Sequence, residues 1–280
     1  ILVRVMKEYD ETAIELISID NGPGMAEPLR MIEDGMSTSN TLGNGLGAMK
    51  RLSDTFQVYS VKDWGTIVLS RVYREDKPQF PQPLRAEVRP LIIAKPGEEV
   101  SGDGAYFTLT ADHLKIFLGD GLGHGKDAHA AVRAAIRAFR TSPEKNPIEI
   151  IRYIHTEVKK TRGLVGAVAV YSFKSNTWSI CGVGNIAART QNALAGKAYL
   201  SYNGIIGMNI PGSLKEQLFP GERGQLVILC SDGIRTRWEL QKYAGIFKYD
   251  LSVMAAAIYK DHARNTDDMS VVIARVNAIS

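Results

Sequence analysis

The stretch Ile116–Gly125 reads IFLGDGLGHG. An apolar run suited to a strand meets Gly-Asp-Gly, and helix-forming residues follow from Lys126. The glycines let the chain turn sharply and bare a carbonyl. Asp120 therefore stands at a strand end, where a carboxylate is poorly placed to stabilise a core. Three more aspartates share that setting: Asp103 in SGDGAYFTL, Asp232 in VILCSDGI and Asp267 in TDDMSVVI. One Asp-Gly alone reads as a turn. Four in matching contexts, far apart in the chain, point to carboxylates that meet at one end of neighbouring strands. Oxygen-only ligands favour Mg²⁺ or Mn²⁺ over zinc. Two such ions about 3.5–4 Å apart share a bridging water and lower its pKa, giving a hydroxide able to attack phosphorus in line.

Outward from this stretch, periodicity predicts a strand over Val88–Ala94, then Ala105–Thr110 and Leu114–Leu118 joined by a turn at Asp112. Helices are predicted over Lys126–Arg140 and Pro147–Lys160, the second opened by Asn146-Pro147. Strands follow at Leu164–Ser172, Trp178–Val183, Ile186–Arg189 and Gln225–Cys230, then a helix over Leu251–His262 and a last strand over Met269–Val276. This order predicts an α+β fold with helices covering antiparallel sheets. Upstream, three prolines within Pro78–Pro83 exclude helix and central strand. The reading is a front domain over 1–75, a linker over 76–87 and a second domain over 88–280. In the front domain Ala13–Ile19 reads as a strand, Glu27–Asp34 and Gly45–Asp54 as short helices, and Phe56–Val61 with Thr66–Val72 as a hairpin around Lys62–Gly65.

Residues 1–75 carry 8 Lys/Arg against 11 Asp/Glu, within a chain of net charge +4, so the basic excess lies downstream and suits an acidic or phosphorylated partner. No basic run alternates with aromatics, which argues against nucleic acid. No apolar run reaches the roughly 18–20 residues of a membrane span and no signal-peptide pattern is read. Cys181 and Cys230 sit in apolar runs without CxxC spacing and read as buried thiols of a cytoplasmic protein. The chain opens on Ile1 inside a strand-like ILVRV, so a piece of a longer protein is expected.

GDGLGHG, CSDGI and DDMSVVIARV, in that order, resemble the PPM superfamily of metal-dependent Ser/Thr protein phosphatases, and within it the SpoIIE-type, RsbU- and RsbX-like branch. The likeness covers roughly 87–280. It implies a β-sandwich flanked by helices and hydrolysis of phosphoserine or phosphothreonine with two Mn²⁺ or Mg²⁺ ions. By motif matching, Asp120 would bridge the ions, the Gly121 carbonyl would bind one, and Asp232 and Asp267 would complete the sites. Asp103 would be a ligand or water holder. Asp120, Asp232 and Asp267 are the catalytic set, with Asp268 ranked below Asp267. SGDGAY departs from the GGD-aromatic pattern of RsbU-like members, and no arginine matches a phosphate-binding role. His124 and His129 read as supporting or surface residues.

At the front, IELISIDNGPGM and LGNGLGAMKRLSD resemble the GHKL ATPases, specifically the RsbW- and RsbT-like anti-sigma-factor kinases. The resemblance implies a partial α/β sandwich in which Asp20 binds adenine and Gly22, Gly24, Gly43, Gly45 and Gly47 shape the site for ATP or ADP. The two resemblances together imply a phosphatase acting on a STAS-domain anti-anti-sigma factor or stressosome component. A nucleotide-binding regulatory domain would precede it, and an anti-sigma kinase or sigma factor or a second copy of the chain would serve as further partner. The alternatives are a nucleotide-dependent partner-switching protein with an inactive phosphatase domain, and two active domains opposing each other on one substrate.

Overall fold

A computed structural model describes residues 1–8, 11–28, 30–32, 45–75 and 84–277. The front strands β1 (Leu2–Glu8), β2 (Glu11–Asp20), β3 (Thr55–Val61) and β4 (Gly65–Tyr73) form an antiparallel sheet in the order β1-β2-β4-β3, with the short helix α1 (Gly45–Arg51) before β3. Thereafter come β5 (Ala86–Ile93), β6 (Asp103–Leu109), β7 (His113–Gly121), α2 (Gly125–Thr141), α3 (Pro147–Glu157), β8 (Leu164–Ser172), β9 (Thr177–Val183), β10 (Ala187–Gln191), β11 (Gly196–Tyr199), β12 (Gln217–Pro220), β13 (Leu226–Cys230), α4 (Leu251–His262) and β14 (Met269–Val276). Every pairing between two of these strands is antiparallel. Among the described residues no helix is long and apolar enough to cross a membrane.

Two compact units result: Ile1–Gln82 with Glu239–Lys260, and Pro83–Trp238 with Asp261–Ser280. The sequence reading puts all of 88–280 in one domain, whereas here 239–260 groups with the front sheet. A buried polar network explains this grouping. Glu15 on β2 and Arg71 on β4 are both buried and ion-paired. Arg4 adds a second cation to Glu15 at 2.6 Å, Arg71 reaches Asp250 at 3.2 Å, and the Ser252 hydroxyl donates to Glu15 at 3.0 Å. Asp250 also caps α4 by accepting from the Ser252 amide at 2.8 Å. Buried charges persist only when paired and hydrogen-bonded, so this cluster holds the two chain segments as one body. Tyr59 adds edge contacts to Trp64 and Tyr249, with ring centroids 5.6 and 5.0 Å away.

The second unit is a sandwich of two five-stranded sheets, β11-β10-β13-β14-β5 and β12-β9-β8-β7-β6. Alternate residues from both sheets, among them Val88, Ile116, Trp178, Val227 and Val272, fill the space between them. The outer face of the second sheet buries Phe117, Val168, Val170 and Val183 against Val132, Phe139, Ile151 and Ile154 of α2 and α3. Alanines at 128, 131, 135 and 138 keep the buried side of α2 thin, so it lies close to the strands. Asn146 caps α3 by accepting from the Ile148 amide at 2.8 Å, with Pro147 at its first position. β8 is buried on both sides, which explains its unbroken apolar sequence. β5 tolerates Pro90 because it is an edge strand.

The expected strands and helices appear with shifts at their ends; β7 runs three residues past Leu118, and α3 stops at Glu157. The short strands β11 and β12 are additions that the sequence pattern did not signal. Of the expected helix at Glu27–Asp34, Arg30–Ile32 forms one 3₁₀ turn, and Gly43 and most of the linker lie outside the described residues. Phe139 stacks on Phe117, with centroids 5.6 Å apart, and is buried. Phe139→Ala is expected to cost about 3–5 kcal/mol, read as a lower urea midpoint at unchanged slope.

Candidate metal centre

The strand registers assemble the acidic cluster. Asp103, the first residue of β6, is paired directly with Asp120 on β7. In the other sheet, β13 and β14 are hydrogen-bonded neighbours; Asp232 lies two residues beyond the end of β13 and Asp267 two before the start of β14. Glycines bring the loops together. A Cβ on Gly121 would sit 2.4 Å from the Ala128 carbonyl oxygen, and one on Gly233 would sit 1.9 Å from that of Asp268. Neither position admits a larger residue without moving backbone.

Electrostatics mark the convergence. Burial pushes the Asp120 carboxyl up to about 9, reinforced by Asp103, Asp232, Asp267 and Asp268. Asp103 is pushed up to about 7, first by burial and then by Asp268 and Asp232. The hydroxyls of Ser231 and Ser270 temper that shift, yet neither buried oxygen of Asp103 has a hydrogen-bond partner of normal geometry. Asp232 is also raised, by burial and then by Asp267, against the opposing pull of Arg264 and Asn185. Five carboxylates thus influence one another, Asp103 and Asp268 buried and Asp120, Asp232 and Asp267 half-buried, a costly arrangement unless cations offset it.

The members are not equivalent. Asp268 is spoken for: it accepts from the amides of Lys95 and Gly102, both at 2.9 Å. Asp267 accepts from the Asp268 amide, at 2.9 Å. Asn185, in the β9–β10 turn, donates to Asp232 at 2.7 Å; only its place in a strand connection could have flagged it. Among the described residues no three His, Cys, Asp or Glu side chains are already placed to enclose an ion. The donor set is nonetheless that of a hard cation: carboxylates, two of their oxygens buried and unpartnered, and the backbone at Gly121.

Around the cluster, His124 contacts Glu98 at 2.5 Å and His129 meets the Ser101 carbonyl at 2.8 Å. Arg162 donates to the Leu122 carbonyl and to Asp127, each at 3.0 Å, tying the glycine loop to the first turn of α2. In the first unit, Asp20 ends β2, and one of its oxygens accepts from the Gly22 amide at 2.8 Å and the Thr66 amide at 3.2 Å. Gly24 has φ +69°, and a Cβ there would strike the Val61 carbonyl. Gly45 and Gly47 lie in α1.

A family model for stage II sporulation protein E (SpoIIE) matches residues 110–277, more than half of the chain. The chain belongs to the SpoIIE family. Solved structures agree on the fold. A chain from work on the bacterial stressosome, described as a modular system adapted to control secondary messenger signalling, is 28% identical at TM-score 0.64 and covers 69% of this chain and 100% of its own. RsbX in complex with magnesium is 17% identical at TM-score 0.62, covering 71% of this chain and 99% of its own. The PP2C phosphatase domain of SpoIIE from Bacillus subtilis, with a fragment of its regulatory domain, is 16% identical at TM-score 0.57 and covers 100% of this chain and 82% of its own. The SpoIIE-family unit thus has the PP2C-type phosphatase fold. Separately, 64 residues (23% of the chain) are 45% identical to the serine/threonine-protein kinase RsbT of Bacillus subtilis (strain 168). The chain spans 48% of that relative's length.

Asp268 and Asp267 separate by experiment. Asp268→Ala strands two amides and is expected to destabilise by about 3 kcal/mol, whereas Asp267→Ala strands one partly buried amide and should lower the urea midpoint less, at a cost of about 1 kcal/mol. Asp120 adds a pH signature. Its folded pKa lies above its unfolded value, so ionisation opposes folding as pH rises from about 4 to about 9. In EDTA, Asp120→Asn should melt above the wild type at pH 8, with the gap closing towards pH 4.

Proposed function

We propose that this chain is a metal-dependent protein serine/threonine phosphatase. The observation that supports the reading is the pairing of Asp103 with Asp120 within electrostatic reach of Asp232 and Asp267, with both oxygens of Asp103 buried and unpartnered. Asp120 and the Gly121 carbonyl would hold two Mn²⁺ or Mg²⁺ ions together with Asp232 and Asp267, and Asp103 would hold an ion or its water. When bound, such ions supply Lewis acidity and a water of lowered pKa. Asn185 orients Asp232, and Asp268, held by two amides, fixes the loop that presents Asp267. The Gly121 backbone lets α2 approach and keeps the carbonyl of the metal loop available.

The substrate is a phosphorylated regulatory protein of the STAS-domain or stressosome kind, in a cytoplasmic partner-switching system. Support comes from membership of the SpoIIE family and from the likeness to RsbT and to a stressosome chain. The first unit, with Asp20 at a strand end and glycines at 22, 24, 45 and 47, is a GHKL-like regulatory module that takes ATP or ADP. An anti-sigma kinase or sigma factor is its natural class of partner.

The deciding assay is Mn²⁺-dependent release of phosphate from a phosphorylated STAS-domain protein. The wild type should turn over, EDTA should abolish the activity, and Asp120→Asn should lose at least about 100-fold. A wild type that binds the partner yet never releases phosphate with metal would refute the reading.

A further inference from the structure

We propose that Arg264 binds the phosphate group of the substrate. This rests on the phosphatase reading above and supplies what the sequence motifs left open, a cation for the transferred group.

Three other arginines of this unit are committed. Arg162 spends its fork on the Leu122 carbonyl and Asp127. Arg189 donates to the carbonyls of Trp238 and Thr236 and stacks on the Trp238 ring at 4.5 Å. Arg275 pairs with Glu87 at 3.0 Å. Arg264 differs from all three. Its side chain is exposed and, among the described residues, has no hydrogen-bond or ion-pair partner.

Its backbone is nevertheless firmly placed. The Arg264 amide donates to the Gly233 carbonyl at 2.8 Å, the Arg235 amide donates to the His262 carbonyl at 2.8 Å, and Ile234 forms a bridge with Ala263. Arg264 is therefore pinned beside the residue that follows Asp232, and it stands three residues before Asp267. Its field reaches Asp232, where it works against the effects of burial. A cation carried at that position opposes metal binding, since it repels the ions the carboxylates attract. It becomes useful once an anion arrives with them. A phosphate monoester is that anion, and the planar guanidinium offers it two parallel donors. One short loop would then set both an ion ligand and the phosphate contact, fixing the spacing between them.

The test uses the full chain, Arg264→Ala and Arg264→Lys, with p-nitrophenyl phosphate and inorganic phosphate as probes at saturating Mn²⁺. In Arg264→Ala the KM and the inhibition constant of phosphate should each rise about 10- to 100-fold, with partial recovery in Arg264→Lys. Mn²⁺ affinity measured without phosphate should not weaken. Unchanged KM and phosphate affinity overturn the proposal. So does a change confined to Mn²⁺ binding, which would make Arg264 a plain counter-ion of Asp232. Calorimetric titration of phosphate into the Mn²⁺-loaded protein needs no turnover, so an inactive wild type would sink the phosphatase reading while the arginine is still judged on its own.

Discussion

Mutual repulsion among carboxylates is the constraint around which the second unit is arranged. Asp103 and Asp120 face each other in register across β6 and β7, where like charges destabilise a strand pair. The sandwich carries that cost alongside Asp232 and Asp267 from the other sheet. Burial heightens it, because the same exclusion of water that strengthens attraction to a cation also strengthens repulsion between anions. The surrounding structure resists the repulsion by fixing backbone rather than side chains. β6 and β7 are locked by register, the loop before β14 is held by amides on Asp268, and Gly121 and Gly233 allow contacts that no Cβ would permit.

The first unit solves a different problem with related means. A four-stranded sheet with one short described helix buries little by itself. Segment 239–260 completes it, and the join is polar at its centre: Glu15, Arg71, Asp250 and Ser252 satisfy one another out of water. Such a network gives directional specificity that an apolar contact lacks, because any slip in register leaves a charge unpaired. Aromatic contacts of Tyr59 with Trp64 and Tyr249 surround it.

The two units also differ in how they use glycine and acid. In the first, Asp20 accepts from the Gly22 amide two residues on, as in a turn. In the second, Asp120 and Asp103 are left with no such local partner, and burial raises both. An aspartate at a strand end therefore serves a local conformation in one place and a gathered charge in the other.

Much of this was legible in the chain. Alternating apolar runs broken by Asp-Gly, with long amphipathic segments between them, specify strands, helices and an α+β class, because side-chain period and turn chemistry are local properties. The four aspartates stood out for the same reason, through their matching strand-end contexts. Tertiary structure alone settled which residues meet. It placed Asp103 opposite Asp120 and gave Asp268 two backbone amides against one for Asp267. It brought Asn185 and Arg264 to Asp232, and it drew 239–260 to the front sheet through Glu15 and Arg71. Those outcomes depend on pairing between segments tens to hundreds of residues apart, and local pattern carries no information about which strand end a distant side chain will face.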